Sequence, residues 1–302
     1  MRFSVKQKKI IAFILALLIV NIGIDFVVTK VVYDSVFARY DDESIPDITE
    51  IVDHDCERSE FISGDNLLSG WLFEGDSDSL VVIAQGLNSV ASYFSDETEY
   101  FLDEGYSVFI FDMTGSGDSS GDSSVGFSQA VYDLSAALDH IEEKYEYDDV
   151  FLFGHSRGAY ASLCMLSERT DIAGVVSVNG ANSAMEAIMA SSKQRVGALA
   201  YGNYPMLWAY QTYLFDAEKV SASCSDIIAR SAVPVLVIQA EDDKIVPYND
   251  GSVISHREEI YRNGVELMTV SGGHSTVLEN NSELMNDICE FFEECKDREV
   301  SE

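Results

Sequence analysis

Short apolar runs alternate with longer amphipathic stretches over most of the chain. The runs contain few charged residues, which is typical of strands buried on both faces of a sheet. They predict strands at residues 60–63, 67–73, 80–84, 107–111, 150–153, 173–178, 233–240 and 265–270. Between the runs, apolar residues recur every three or four positions and predict helices at 93–104, 127–141, 159–167 and about 275–295. Because parallel strands need crossover connections, this alternation predicts an α/β fold with a mostly parallel central sheet and helices on both faces.

The amino-terminal residues depart from this alternation. Residues 10–28 form an apolar run about long enough to cross a hydrocarbon core of roughly 30 Å. Basic residues are concentrated in 1–9, which the positive-inside rule assigns to the cytoplasm. A cleaved signal peptide has the same basic start, but no small-x-small cleavage site follows the run, so a signal-anchor is favoured. We predict a single-pass cell-membrane protein with a cytoplasmic segment at 1–9, a transmembrane helix at 10–28, a juxtamembrane stalk at 29–50 and an extracytoplasmic domain at 51–302.

The excess of acidic residues in the chain argues against some classes of binding partner. The first 30 residues hold five basic residues and one acidic residue, so the remainder of a chain of net charge −33 carries −37. This balance argues against nucleic acid as a partner, because phosphate contacts need lysine and arginine. We interpret the acidity as a solvated surface rather than a site for a specific cation. The five cysteines have no zinc-site spacing and are odd in number, so they are expected mainly as free thiols and no metal is predicted.

One pentapeptide with two glycines gives the first indication of a catalytic residue. Residues 154–158 read Gly-His-Ser-Arg-Gly and lie between a predicted strand and a predicted helix. This is the pattern of a nucleophile elbow, in which a sharp turn exposes the serine hydroxyl above the sheet. The glycines are explained by crowding, since the turn leaves no room for side chains two residues on either side of the serine. Ser156 is therefore the predicted nucleophile.

A serine nucleophile needs a base, and the base needs an acid to hold its tautomer. Two histidines follow Ser156 in the chain. His256 lies in a charged stretch predicted as a surface helix, whereas His274 lies in a glycine loop directly after the last strand, so His274 is the predicted base. The acid is expected among the three adjacent carboxylates at 241–243, with Asp242 as an alternative to Asp243.

With these motifs the chain resembles the α/β-hydrolase superfamily, specifically the lysophospholipase and serine-aminopeptidase-like bacterial hydrolases. The resemblance covers about residues 55–295. It favours Asp243 as the acid, because residues 243–247 match the family's acid followed two residues later by Val-Pro. Residues 112–119 are similar to the family's D-x-x-G-x-G-x-S loop after its fourth strand.

The resemblance also implies an oxyanion hole. Residues 85–88 occupy the position of the family's His-Gly oxyanion loop, although the usual histidine is Gln85 in this chain. The backbone N–H groups of Leu87 and Arg157 are the implied donors. We expect the Arg157 side chain to be an ordinary solvated arginine, with attraction of an anionic substrate group as the alternative.

A second interruption of the alternation lies at about 181–232, between two predicted strands. An insertion at this point typically forms a cap over the nucleophile, as the resemblance also implies. The apolar and aromatic residues of this segment suit either packing of the cap onto the body or recognition of an acyl group. They are Met185, Ile188, Met189, Tyr201, Tyr204, Met206, Leu207, Trp208, Tyr210, Tyr213 and Leu214.

Together these features predict a membrane-anchored serine hydrolase that cleaves a carboxylic ester, lipid-like or small, through an acyl-enzyme. The chemistry requires no cofactor, and the predicted partners are a small-molecule acyl substrate and the membrane. A peptidase, an aminopeptidase or an acyltransferase on the same triad is the nearest alternative. A hydrolase-fold surface protein without catalytic activity is a further one.

Overall fold

An eight-stranded sheet forms the centre of the protein in the computed structural model, which describes residues 4–299. The strands are β1 (Cys56–Ser63), β2 (Asn66–Phe73), β3 (Ser79–Ala84), β4 (Ser107–Phe111), β5 (Asp149–His155), β6 (Gly174–Val178), β7 (Val235–Ala240) and β8 (Val265–Val270). Their order is β1-β2-β4-β3-β5-β6-β7-β8, and only the two ladders that include β2 are antiparallel. The predicted mostly parallel sheet is confirmed. Residues 1–3 of the predicted cytoplasmic segment, including Arg2, and residues 300–302 lie outside the described residues.

Helices cover both faces of this sheet. The α-helices of the described residues are α1 (Val5–Val36), α2 (Ile48–Ile51), α3 (Ser95–Asp103), α4 (Phe127–Lys144), α5 (Arg157–Met165), α6 (Ala184–Val196), α7 (Ala200–Leu214), α8 (Ala217–Val220), α9 (Cys224–Arg230) and α10 (Ser282–Glu299). Successive strand residues point to opposite faces, so Phe151 of β5 stacks on Phe292 of α10 with ring centroids 4.4 Å apart. Its neighbour Leu152 joins the opposite core layer with α4 and α5.

The strand register places the functional loops side by side. Ala84 at the end of β3 pairs with Gly154 of β5, so the loop after β3 lies beside the elbow. Ala240 at the end of β7 pairs with Val270 at the end of β8. The loops that follow these four strands therefore meet at one edge of the sheet, where sites of parallel α/β proteins form.

Two helix predictions at the carboxyl-terminal side differ from the structure. The last helix begins at Ser282 rather than near 275, because the side chain of Asn281 accepts the backbone N–H of Leu284 and so starts the helix there. The predicted charged helix around His256 is a short 3₁₀ turn, Val253–His256, followed by turns. Its polar residues do not supply the apolar stripe that would hold a longer helix on the body.

The amino-terminal helix is longer than its prediction of 10–28 at both ends. α1 continues past residue 28 to Val36 and is long and apolar enough to cross a membrane. Its last two turns pack against the cap, with Thr29 and Tyr33 almost fully buried. The segment predicted as a stalk is therefore not a free linker.

The residues that follow α1 are also fixed to the body. Phe37 is 2% exposed and packs on Phe127 of α4, with ring centroids 6.2 Å apart. The guanidinium of Arg39 donates to the carbonyls of Ser119 and Gly121 at 2.8 and 3.0 Å. Aromatic burial and backbone hydrogen bonds thus hold the first part of the predicted juxtamembrane stalk against the body.

Candidate active site

The elbow is a strained strand-to-helix turn. Ser156 is the one residue between β5 and α5, and its φ of 57° lies in the left-handed region that a side chain rarely adopts. A Cβ at Gly154 would lie 2.6 Å from Ala159 Cα, and one at Gly158 would lie 1.9 Å from the carbonyl oxygen of Ala84. Both glycines are therefore required by close backbone approach, as the sequence predicted.

Three side chains from three different loops form one hydrogen-bonded chain at this edge. His274 Nε2 lies 2.8 Å from Ser156 Oγ, and His274 Nδ1 lies 2.7 Å from Asp243 Oδ2. Ser156 and Asp243 are 7% and 5% exposed. A neutral imidazole between a hydroxyl and a carboxylate is placed to accept the hydroxyl proton at one nitrogen while donating from the other.

The surroundings of Asp243 distinguish it from its acidic neighbours. Its Oδ1 accepts the backbone N–H groups of Ile245 and Val246 at 2.8 and 2.9 Å, and its Oδ2 accepts the Gln239 side-chain amide at 3.2 Å. Asp242 is exposed to solvent. Of these two carboxylates, it is Asp243 that faces His274, and its oxygens are held in place by these three donors.

Two residues that the sequence did not single out hold the histidine loop. His155 Nε2 and Asn179 Nδ2 each donate to the carbonyl of His274, both at 2.8 Å. Burial, reinforced by the neighbouring His274, lowers the pKa of His155 to about 4, so its ring is neutral at physiological pH. The only sequence signals were the position of His155 inside the elbow and that of Asn179 directly after β6.

The implied oxyanion loop lies against the serine. A Cβ at Gly86 would come within 3.4 Å of Ser156 Cβ, and Leu87 borders the space above the hydroxyl. Gln85, which replaces the usual histidine, is fully buried and donates to Ser116 Oγ at 3.1 Å. This departure from the family pattern therefore ties the oxyanion loop to the loop after β4.

Arg157 follows Ser156 as the first residue of α5, where backbone N–H groups have no partner within the helix. The expectation of a solvated side chain is wrong, because Arg157 is 2% exposed. Its guanidinium contacts the Ser124 carbonyl at 3.4 Å and Met113 Sδ at 3.3 Å. Burial lowers its pKa to about 10, and the side chain supports the loop between β4 and α4 rather than the substrate space.

Two cavities of about 300 Å³ each meet at Ser156. The first has a mixed lining that is the more polar of the two and includes the carboxylates of Asp96, Glu97 and Glu279. The second has a mainly apolar lining and lies beneath the cap helices α6 and α7. The site thus offers a more polar space and a mainly apolar space on two sides of the hydroxyl.

Glu97, on the polar side, provides a test of stability against pH. Its carboxyl is 7% exposed, and burial raises its pKa from 4.5 to about 7. The pKa of Glu97 is higher in the folded protein than in the unfolded chain, so protonation of this carboxyl favours the folded state. This contribution to the free energy of unfolding is fully present below pH 4.5 and is lost as the pH rises through 7. We expect Glu97→Gln to raise the free energy of unfolding at pH 8 by up to about 3 kcal/mol relative to the wild type, with little difference at pH 4.5.

Thermal unfolding of the two proteins across this pH range measures the effect. Glu99→Gln is the matched control, because Glu99 lies on the same helix α3 and is only partly buried. The interpretation is wrong if the difference between Glu97→Gln and the wild type does not grow with pH.

Comparisons with known proteins agree with this fold. Residues 75–209 match the family model described as serine aminopeptidase, S33. A segment of 80 residues is 30% identical to protein phosphatase methylesterase 1 of Candida albicans, and it spans 26% of this chain and 22% of that protein. The match to the family model includes the elbow but ends before Asp243 and His274.

Solved structures are similar over most of the chain. The Pyrococcus furiosus esterase Pf2001 is 20% identical, with a TM-score of 0.67, and the similarity covers 85% of this chain and 98% of that one. The alpha/beta hydrolase GrgF from Penicillium is 17% identical, with a TM-score of 0.62, over 80% of this chain and 98% of its own. The Pyrococcus horikoshii acylaminoacyl peptidase is 14% identical, with a TM-score of 0.59, over 79% of this chain and 41% of its own. The protein is therefore an α/β hydrolase by fold, and it shares the serine aminopeptidase sequence pattern over residues 75–209.

Proposed function

We propose that this protein is a membrane-anchored serine hydrolase that cleaves a carboxylic ester through an acyl-enzyme. The observation that carries the proposal is the hydrogen-bonded chain from Ser156 through His274 to Asp243. Similarity to esterases and peptidases of the same fold is consistent with it.

The proposed reaction follows from the protons that this chain can move. Ser156 Oγ attacks the ester carbonyl carbon while His274 Nε2 takes the hydroxyl proton, and Asp243 stabilises the imidazolium. The N–H groups of Leu87 and Arg157 are the proposed donors to the oxyanion. The carbon–oxygen bond to the leaving group then breaks, and His274 returns its proton to the departing alcohol. Water repeats the sequence on the acyl-enzyme and releases the acid.

The two cavities suggest which part of the substrate each of them binds. The apolar cavity under the cap suits the acyl part, and the polar cavity beside Asp96 and Glu279 suits the leaving group. An ester with an apolar acyl chain and a polar alcohol matches both spaces.

The site is tested with a panel of p-nitrophenyl esters and the purified full-length protein in detergent. We expect turnover by the wild type and labelling of Ser156 by a fluorophosphonate probe. Ser156→Ala is expected to lose labelling and to lower kcat by about 10⁵-fold or more. Absence of both turnover and labelling in the wild type would favour the non-catalytic surface protein instead.

A peptidase is the second candidate, and two observations favour it. The family model that matches residues 75–209 is that of a serine aminopeptidase. The acidic groups of the polar cavity would also attract the ammonium group of an aminoacyl substrate. Faster turnover of aminoacyl p-nitroanilides than of the esters would support this alternative.

The proposed topology places the hydrolase domain outside the cell membrane. It is supported by the length and apolar character of α1 and by the basic residues that precede it. Digestion of the carboxyl-terminal domain by protease added to intact cells is the expected result. Protection of the domain until the cells are lysed would contradict the proposed orientation.

A further inference from the structure

The helix proposed as the anchor also forms a wall of the active-site cavity. Val28, Val32 and Val36 lie four residues apart along one stripe of α1, and all three line the apolar cavity that contains Ser156. Eight residues of helix correspond to a length of about 12 Å. Opposite them, Ile188 and Ser191 of α6 line the same cavity. The cavity therefore runs along α1 between the helix and the cap.

The direction of this cavity follows from its two ends. At the inner end, Phe37 packs on Phe127 of the body and the lining includes Ser156. At the outer end, the lining includes Val28, the last residue of the predicted transmembrane segment, and Leu199, which is 81% exposed. The space thus leads from the serine to the level at which α1 leaves the predicted span.

The cap lies beside α1 at that same level. Phe26, inside the predicted span, packs edge-on against Tyr210 of α7 with ring centroids 5.7 Å apart. Thr29 Oγ1 donates to the side chain of Asn203 at 3.0 Å. These contacts hold α7 against the part of α1 that is expected at the membrane surface.

The outer surface of the cap has the composition of a membrane-contacting surface. Tyrosine and tryptophan are enriched where proteins meet lipid headgroups. The exposed aromatic residues of α7 are Tyr201, Tyr204, Trp208 and Tyr213. Residues 184–214 hold two basic residues and one acidic residue, in a chain whose net charge is −33. This segment therefore lacks the excess of negative charge that an anionic membrane would repel.

We propose that the apolar cavity takes the long acyl chain of a membrane lipid ester, which enters from the bilayer between α1 and the cap. The proposal rests on the proposed hydrolase function and specifies its substrate class. It makes α1 part of the acyl-binding wall as well as the anchor. A long-chain ester dissolved in the bilayer would reach Ser156 without crossing water.

The experiment compares two esters that differ only in acyl length. Full-length protein in phosphatidylcholine vesicles is assayed with p-nitrophenyl acetate and p-nitrophenyl palmitate, and the ratio of the two kcat/KM values is measured. Val32→Trp fills the cavity from the α1 side. Val31→Trp is the matched control, because Val31 is the adjacent, similarly exposed residue of α1 and does not line the cavity.

We expect Val32→Trp to lower the palmitate-to-acetate ratio at least about tenfold, the effect of losing roughly 1.4 kcal/mol of chain-specific binding. Val31→Trp is expected to leave the ratio within about twofold of the wild type. Ser191→Trp fills the cavity from α6 and is expected to give the same fall as Val32→Trp. Fluorophosphonate labelling tests whether Ser156 is still reactive in each variant. If Val32→Trp is not labelled, the palmitate-to-acetate ratio of Ser191→Trp is compared with that of the wild type instead.

The outcomes separate this proposal from the proposed function. A wild type that hydrolyses neither ester and is not labelled overturns both. A wild type that hydrolyses the acetate ester but not the palmitate ester overturns only the lipid proposal. Equal ratios for a labelled Val32→Trp and Val31→Trp overturn it as well.

Discussion

Asp243→Asn is expected to lower kcat about 10⁴-fold and to leave the fold intact. The amide oxygen of the new side chain would keep the place of Oδ1, because the N–H groups of Ile245 and Val246 donate there. Its amide nitrogen would then face His274 Nδ1, and the hydrogen bond that Gln239 donates to Oδ2 would be lost. A donor at that position selects the imidazole tautomer with its proton on Nε2, which cannot accept the proton of Ser156.

The control for this variant is Asp242→Asn. Asp242 is the exposed neighbour, and its replacement removes the same charge from the same loop. We expect its kcat to stay within about twofold of the wild type, in an ester assay supplemented by circular dichroism of both variants. Equal losses in the two variants would assign the effect to loop charge and would refute the role given to Asp243.

Gly158→Ala is expected to cause a large loss of stability. The added Cβ would lie 1.9 Å from the backbone oxygen of Ala84, so α5 and β3 would have to separate. Overpacking of this kind costs about 3 kcal/mol or more when backbone must move. The expected result is a lower denaturation midpoint and loss of activity, since β3 leads into the oxyanion loop.

Gly202→Ala gives the matched control with the opposite sign. Gly202 lies within α7, is exposed and has no atom within 4 Å of an added Cβ. Alanine is the better helix former by up to about 1 kcal/mol, so this variant is expected to be slightly more stable than the wild type. Denaturant unfolding of both variants measures the two effects, and equal midpoints would show that the elbow tolerates a side chain at position 158.

The sheet could be predicted from the sequence because burial on both faces leaves a local signal. β4 and β8 match their predicted runs, and the other strands differ from theirs by a few residues at one or both ends. The positions of Ser156, Asp243 and His274 could be predicted from the sequence for a related reason. Each follows a buried strand, and parallel strands bring their carboxyl ends to one edge.

The features that the sequence did not predict depend on contacts between distant segments. Burial of Arg157 is decided by the loop between β4 and α4, which covers its side chain. The hydrogen bond that Asn179 donates to the His274 carbonyl joins residues 95 positions apart. The packing of Tyr33 against the cap joins the first helix to a segment more than 170 residues later. Hydrophobic periodicity reports which side of a helix is buried, but it does not report the partner.

The contacts of Phe37 and Arg39 with the body have a mechanical consequence. An enzyme tethered through a flexible stalk tumbles about its attachment point and presents its active site to the membrane for only part of the time. Here α1, the proposed anchor, leads into the hydrolase domain without a free linker, because the residues that follow it are held by Arg39 and Phe37. If α1 spans a bilayer as proposed, we expect these contacts to restrict the tilt of the domain and the height of Ser156 above the lipid surface. The motions then expected to remain are lateral diffusion and rotation about the membrane normal.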